Sequence, residues 1–389
     1  MFSLTKRFTS VVVRAAHTLA LITTPTVLWF GASPALAAPL VVDGSPSVVG
    51  NTVTSCLGTL NPYTTIQSAV GTAPSGATIQ VCPGNYPEQV TIATPLTLKG
   101  VTDTTDNAGA AVITIPGGTF SGQFTQVDIQ ASGVTLSNIG VDGTNTNSIG
   151  GCFFGISLTG ILFDSGSSGT LRQVTLRNQY VSNGSGGYCG SGTAVSATSA
   201  ASVTVADSSV RNFDGAGIQV TTTSSVTVKT TALAPLTPNP GLSSTPNCVY
   251  ANAPTAQVSG NTTSGCGTGV EVATTVSGSV SGNTIVGNGI SSTGFGFLCA
   301  FVCTGITVSG NQIFNTDIGL SMKTSGESGA IVFQNNTVSG TAYGVYLFFQ
   351  PNNTVSNNTI IDSGVGIYGV TGNTVSGNTY KTVTTLTQP

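Results

Sequence analysis

A four-residue phrase recurs through the C-terminal third of the chain and narrows the choice of fold more than any other feature. It reads Val258-Ser-Gly-Asn261, Val280-Ser-Gly-Asn283, Val308-Ser-Gly-Asn311, Phe333-Gln-Asn-Asn336, Val355-Ser-Asn-Asn358 and Val375-Ser-Gly-Asn378, with steps of 22, 28, 25, 22 and 20 residues between the final asparagines. A second phrase follows several copies: a glycine and then an alternating strand, as at Gly269, Gly319, Gly344 and Gly366. Each unit holds two or three short strands with apolar residues at i and i+2, separated by Gly, Asn and Ser turns. No usable helix fits into such a unit, and a propeller blade needs about 40 residues or more. Leucine-rich repeats share the period but require a leucine framework that this chain lacks. The units must therefore stack as parallel strands in an all-β solenoid, where each coil buries its apolar face against the next.

Structure accounts for the asparagine column without catalysis. An amide stacked on another at the ~4.8 Å strand spacing can donate to its neighbour's carbonyl, and asparagine tolerates a left-handed turn. Asn261, Asn283, Asn311, Asn336, Asn358 and Asn378 are expected in one column of a solenoid of about twelve coils over residues 80–380. Irregular copies precede them: Val134-Thr-Leu-Ser-Asn138, Val174-Thr-Leu-Arg-Asn178, Val203-Thr-Val-Ala-Asp207 and Val226-Thr-Val-Lys229. Aligned by phrase, Arg177 and Lys229 share one column, and Asp142 and Arg211 another. At the entrance, Tyr63 to Ala73 carries apolar residues at helical spacing and stops at Pro74-Ser-Gly76, predicting a short helix that covers the first coil.

The first 37 residues read as an export signal: Lys6, Arg7 and Arg14, an apolar stretch from Ala15 to Phe30, then Ala35-Leu36-Ala37 as cleavage site. That stretch is short for a membrane span, although an uncleaved anchor is the alternative. Residues 38–389 are expected to be one secreted domain with no membrane association after cleavage. Cleavage takes Lys+Arg from 10 to 7 and leaves all 13 acids, moving the net charge from −3 to −6. It also removes His17, the single histidine, and with it Ser-His-Asp, Cys-His and imidazole–metal chemistry. Nucleic acid is excluded as a partner, because phosphate binding needs clustered Lys and Arg.

Eight cysteines in an exported chain read as disulfides. Pairing sequence neighbours gives Cys56–Cys82, Cys152–Cys189, Cys248–Cys266 and Cys299–Cys303, with separations of 26, 37, 18 and 4. The first and third separations are near one coil, which would bring their Cα atoms to about 5 Å. A four-cysteine zinc site is the competing reading, with Cys299-x3-Cys303 its one tight spacing.

The stretch Thr65-Ile66-Gln67 … Pro74-Ser-Gly76 … Pro83-Gly84-Asn-Tyr86-Pro-Glu88 … Val90-Thr-Ile92 … Leu96-Thr-Leu98-Lys-Gly100 resembles the opening of pectin-lyase-like right-handed parallel β-helices, NosD-like members included. With the later coils the resemblance covers residues 60–380 and implies a right-handed parallel β-helix with a short N-terminal capping helix. That superfamily includes polysaccharide lyases, hydrolases, esterases and non-catalytic binding or surface proteins. Gly84-x-Tyr86-x-Glu88 is similar to a largely structural pectinesterase motif, but the later pectinesterase motifs are missing. Asn315-Thr316-Asp317 resembles the first polygalacturonase motif without its partners, and pectate-lyase signatures are absent. Thus no enzyme class of the superfamily carries over.

Charge is scarce, at 6% of residues, so it can be mapped singly. Residues 164–229 hold Asp164, Arg172, Arg177, Asp207, Arg211, Asp214 and Lys229, which include every arginine after residue 37. If the protein is an enzyme, Arg177, Asp207, Arg211 and Asp214 are its candidate catalytic residues, on an outer face, as a lyase or glycoside hydrolase. A hydrolase needs two carboxyls at set separation, and a lyase would call for calcium on its carboxylates. The bland alternative is solvated turn residues and salt bridges. Tyr343, Tyr346 and Tyr368, with Phe348 and Phe349, form a second candidate, since outward rings can stack on sugars. The reading favoured is a secreted non-catalytic β-helix, without cofactor, that binds polysaccharide or cell-surface glycan or serves as an extracellular surface. A polysaccharide-degrading enzyme is the alternative.

Overall fold

The computed structural model describes residues 39–49, 52–102, 110–120, 122–144, 147–148, 156–182, 188–189, 191–236, 246–275, 277–289, 294–322, 330–348 and 350–389. The leader expected over residues 1–37, Cys152 and Phe349 lie outside them. Among the described residues no helix is long and apolar enough to cross a membrane.

Alternating β-branched residues between glycine and asparagine corners build a parallel β-helix whose coils each have three faces. The first face is a 13-stranded sheet from Leu40–Val42 to Thr374–Ser376. Setting aside Leu40–Val42, which precedes the helix, leaves twelve coils, as the period predicts. The second face runs from Gly84–Pro87 through Thr175–Arg177 and Ser209–Arg211 to Gln312–Phe314, and the third from Val90–Ile92 through Ala216–Thr221 and Thr268–Ala273 to Ile318–Met322. In the last coils Thr337–Tyr346, Thr359–Tyr368 and Thr379–Gln388 each turn the corner as one strand across both faces.

The period of two sends every second side chain inward, and parallel pairing stacks like on like. On the first face the inward column runs Ile79, Leu98, Leu136, Leu171, Val205, Val228, Val258, Val280, Val308, Phe333 and Val355, all buried. The third face supplies Val127, Ile161, Val195, Ile218, Val249, Val270, Phe297, Leu320, Val345 and Ile367 in the same way.

The glycine of the second phrase is explained where these columns meet. A Cβ on Gly319 would lie 2.3 Å from Val338 Cγ1 and 2.6 Å from the Gly344 carbonyl oxygen. The next coils repeat the squeeze: only a hydrogen leaves room for the second-face side chain and the adjacent backbone.

The asparagines stand in one column, as expected, buried from Asn261 to Asn358 and half-buried at Asn378. Each Nδ2 donates to the next Oδ1, as from Asn261 to Asn283 (2.9 Å) and from Asn283 to Asn311 (2.8 Å), and onward through Asn336 and Asn358 to Asn378. The backbone N–H of each donates to the same oxygen, and each Nδ2 also reaches the carbonyl of the valine or phenylalanine one coil before. One expectation is corrected. The left-handed turn is made by the preceding residue: Gly260, Gly282, Gly310, Asn335, Asn357 and Gly377 have φ between 56° and 65°. The phrase thus splits its labour between a turn-former at its third position and a ladder amide at its fourth.

Ile66–Thr72 forms the predicted cap, with Ile66, Ala69 and Val70 buried. Thr65 caps it, and the Glu88 carboxylate accepts from the N–H groups of Ile66 and Gln67, both at 2.8 Å. Tyr86 is buried and donates to the Cys82 carbonyl at 2.8 Å, and burial pushes its phenol up to about 12. The Gly84-x-Tyr86-x-Glu88 motif therefore fastens the cap to the first coil. Cys56–Cys82, Cys248–Cys266 and Cys299–Cys303 are disulfides, with Cα separations of 6.0, 5.7 and 6.3 Å. Cys189 is disulfide-bonded as well.

Candidate functional site

The charged segment distributes its residues over different faces. Arg172 closes a first-face strand and pairs with Asp207 in the following turn, Nε to Oδ2 at 3.3 Å, with both side chains exposed. Arg177 sits on the second face, where its Nε donates to Asp142 Oδ2 at 2.8 Å. Asp142 also accepts on Oδ1 from Thr144 Oγ1 (2.6 Å) and Asn178 Nδ2 (2.9 Å), and Asn212 Nδ2 donates on to Asn178 Oδ1 (2.9 Å). Burial pushes the Asp142 carboxyl up, but hydrogen bonds from Thr144, Asn178 and Arg177 outweigh it and hold the group below the usual carboxylate range. Arg211 is one coil beyond Arg177, in direct register.

Two expectations change. Arg177 shares its column with Asp142 and Arg211, whereas Lys229 stands with Ala206 and Arg172 on the first face. The phrase Val174-Thr-Leu-Arg belongs to the second face and its look-alikes to the first, and the period of two is the same on both. Asp214 is not on the outer surface: it is 1% exposed. Its Oδ1 accepts from Gly192 N–H at 2.6 Å and its Oδ2 from Val181 N–H at 3.2 Å, which ties two loop ends to the interior. Of the four candidate catalytic residues, the register brings together Arg177 and Arg211, and leaves Asp207 and Asp214 in separate settings.

The outward columns of the third face hold a different chemistry. Register places Ser196, Gln219, Tyr250, Glu271, Leu298, Ser321, Tyr346 and Tyr368 in one line. Tyr346 and Tyr368 are stacked with centroids 4.9 Å apart and planes at 8°, and Tyr343 meets both edge-on at 5.2 and 6.0 Å. Phe348 stacks on Tyr346 at 6.0 Å and is itself exposed. The three tyrosines singled out from sequence are thus half-buried neighbours on one outward surface.

Four coils earlier the same face opens into a groove of about 420 Å³, lined by Thr193, Gln219, Thr221, Asn247 and Tyr250 among others. Asn247 Nδ2 donates to Glu271 Oε2 at 2.9 Å beside it. Burial pushes the Glu271 carboxyl above its ordinary value against that hydrogen bond. Burial and then the neighbouring Glu271 push the Tyr250 phenol up, against a hydrogen bond with Asn252. Sequence reasoning missed this group. The available signal was the phrase Gly269-Val-Glu271, whose glutamate lies one coil from Tyr250.

Among the described residues the one close grouping of His, Cys, Asp or Glu atoms is Asp43 with Cys56 and Cys82. Those cysteines are joined to each other, and the Asp43 carboxylate accepts from the Ser45 and Cys56 N–H groups.

Residues 242–380 match the family model described as a right-handed β-helix region. No curated protein matches the chain in sequence. Solved structures do match in fold. The A-module of the mannuronan C-5 epimerase AlgE6 of Azotobacter vinelandii is 15% identical with a TM-score of 0.50, over 81% of this chain and 94% of that one. The pre-mature gene product 12 of bacteriophage phi29 is 12% identical (TM-score 0.49) over 79% of this chain and 52% of that one. A rhamnogalacturonan lyase is 10% identical (TM-score 0.48) over 83% and 82%. The fold is therefore a right-handed parallel β-helix, and at these identities the likeness speaks to fold alone.

Proposed function

We propose that this is an exported, non-catalytic β-helix that binds polysaccharide through its third face. The observation that carries the reading is the tyrosine platform: Tyr343, Tyr346 and Tyr368 lie side by side on the outer surface, presenting ring area that a sugar's C–H face can cover. The disulfides agree with an oxidising, extracytoplasmic location. The engagement of Arg177 with Asp142, of Asp207 with Arg172 and of Asp214 with two backbone amides supports structural work for these charges.

The enzymatic alternative rests on Arg177 and Arg211 standing in adjacent coils on the second face. A glycan array run beside reducing-sugar and unsaturated-product assays separates the two. Binding without turnover, weakened by Tyr346→Ala and Tyr368→Ala and untouched by Arg177→Ala with Arg211→Ala, is the expected result. Turnover that disappears in the arginine double variant would establish the alternative.

A further inference from the structure

Each face of the helix carries its own charge. Six of the seven Lys and Arg residues after residue 37 are described, and all six are on the first two faces. Lys99, Arg172 and Lys229 belong to first-face strands, and Arg177, Arg211 and Lys381 to second-face positions. The seventh, Lys323, lies outside the described residues. The outward columns of the third face carry rings, amides, hydroxyls and aliphatic side chains such as Leu162 and Leu298, with Asp128 and Glu271 as their carboxylates. Among the described residues no cation stands on them.

That composition selects. A polyanion such as a polyuronate is held by guanidinium or ammonium groups, which match its carboxylates in charge and geometry. On the third face it would meet Glu271 instead, in a partly buried setting where like charges repel more strongly than in water. A neutral sugar presents hydroxyls that both donate and accept. Gln219, Asn247 and Asn252 offer both functions, Thr193 and Thr221 can do either, and a carboxylate accepts. Tyr250 adds a ring face beside them. Leu298 and Ser321, between groove and platform in the same line, are buried, so the groove is a site in its own right rather than the end of one continuous strip.

We infer that the groove at Gln219, Tyr250 and Glu271 is a second glycan subsite, separate from the tyrosine platform, and that the third face selects neutral over anionic polysaccharides. This rests on the glycan-binding reading above and names its substrate class. The test is retention of the full chain, expressed for export and purified, on immobilised neutral polymers (glucans, mannan, galactan) and anionic ones (polygalacturonate, alginate) across a salt series. Neutral polymers should be retained, with little dependence on salt because no ion pairs are screened. Tyr250→Ala and Tyr368→Ala should each weaken retention about tenfold, the scale of one lost ring contact. Gln219→Ala, at an exposed position, should act in the same direction as Tyr250→Ala with an unchanged melting temperature. Preferential, salt-sensitive retention of anionic polymers would overturn the selectivity and leave the platform standing if Tyr368→Ala still weakens it. Loss in Tyr368→Ala alone, with Tyr250→Ala and Gln219→Ala at wild-type affinity, would remove the groove. Retention of no polymer would overturn the glycan-binding reading itself.

Discussion

Coils 134–234 and coils 255–378 share three faces and one apolar interior but hold their corners differently. In the later coils the corner between first and second faces is filled by one residue type, and each amide is satisfied by the next. In the earlier coils the same position is occupied by Ile139, Val174, Ser208 and Thr231. Ser208 Oγ accepts from the Val174 N–H at 3.3 Å, and Thr231 N–H donates to Asn261 Oδ1, where the ladder starts. Polar ties there move to the opposite corner, where Asp142, Arg177, Asn178 and Asn212 interlock. Buried Gln126 and Gln179 add a further link at 3.0 Å. A neutral repeated amide secures any coil to any neighbour, whereas unlike pairs secure one coil to one particular neighbour.

Breaking the ladder should give the largest effect. Asn311→Ala removes donors to the Val280 carbonyl and to Asn336, and strips the acceptor from both nitrogens of Asn283. Such a loss inside a buried network should lower unfolding free energy by about 4 kcal/mol, read by chemical denaturation. Asp214→Ala tests the earlier region. It leaves the Gly192 and Val181 N–H groups without their acceptor and should cost about 3 kcal/mol, far more than an exposed carboxylate would. A variant as stable as the parent would return Asp214 to the surface chemistry that the sequence suggested.

Arg177→Ala should cost about 1.5 kcal/mol at neutral pH, because Asp142 keeps Thr144 and Asn178. Its signature is the acid limb. A carboxyl held low in the folded state contributes stability that is complete above its unfolded value of about 3.9 and is lost as pH falls through the folded value. Removing Arg177 raises that folded value, so acid unfolding should begin at higher pH.

Thr263→Val should stabilise by about 1 kcal/mol in a melting scan. Its buried hydroxyl, in the apolar column between Leu233 and Ile285, has no hydrogen-bond partner among the described residues. Arg172→Ala should change stability by less than about 0.5 kcal/mol, as expected for an exposed ion pair.

The sequence displayed these two regions unequally. The Val-Ser-Gly-Asn phrase revealed period, strand sense and ladder, because one set of contacts is written six times. The earlier region was legible as strands but not in phase. Val174-Thr-Leu alternates just as Val134-Thr-Leu does, and nothing in alternation marks which face a strand occupies. That slip misplaced Arg177 relative to Lys229. It left Asp214 on the outside, since a carboxylate that caps two backbone amides looks in sequence like any turn aspartate. The tyrosine platform was visible because its rings are adjacent in the last coils. The Tyr250–Glu271 group was hidden because a lone tyrosine and a glutamate of unlike type, one coil apart, repeat no residue that would mark them as a cluster.

Because each asparagine addresses only the coils immediately before and after its own, the coil is also a unit of length. Removing the 22 residues from one ladder amide to the next, such as Asn336 to Asn358, would bring Asn311 against Asn358 with identical chemistry on both sides of the seam. Removing a third of a coil would instead rotate every later strand to the wrong face. A molecule built this way can be lengthened or shortened in evolution by whole coils without redesigning its interior. Its size is set by counting, while its individuality is left to the outward columns and to the irregular coils that cannot be copied.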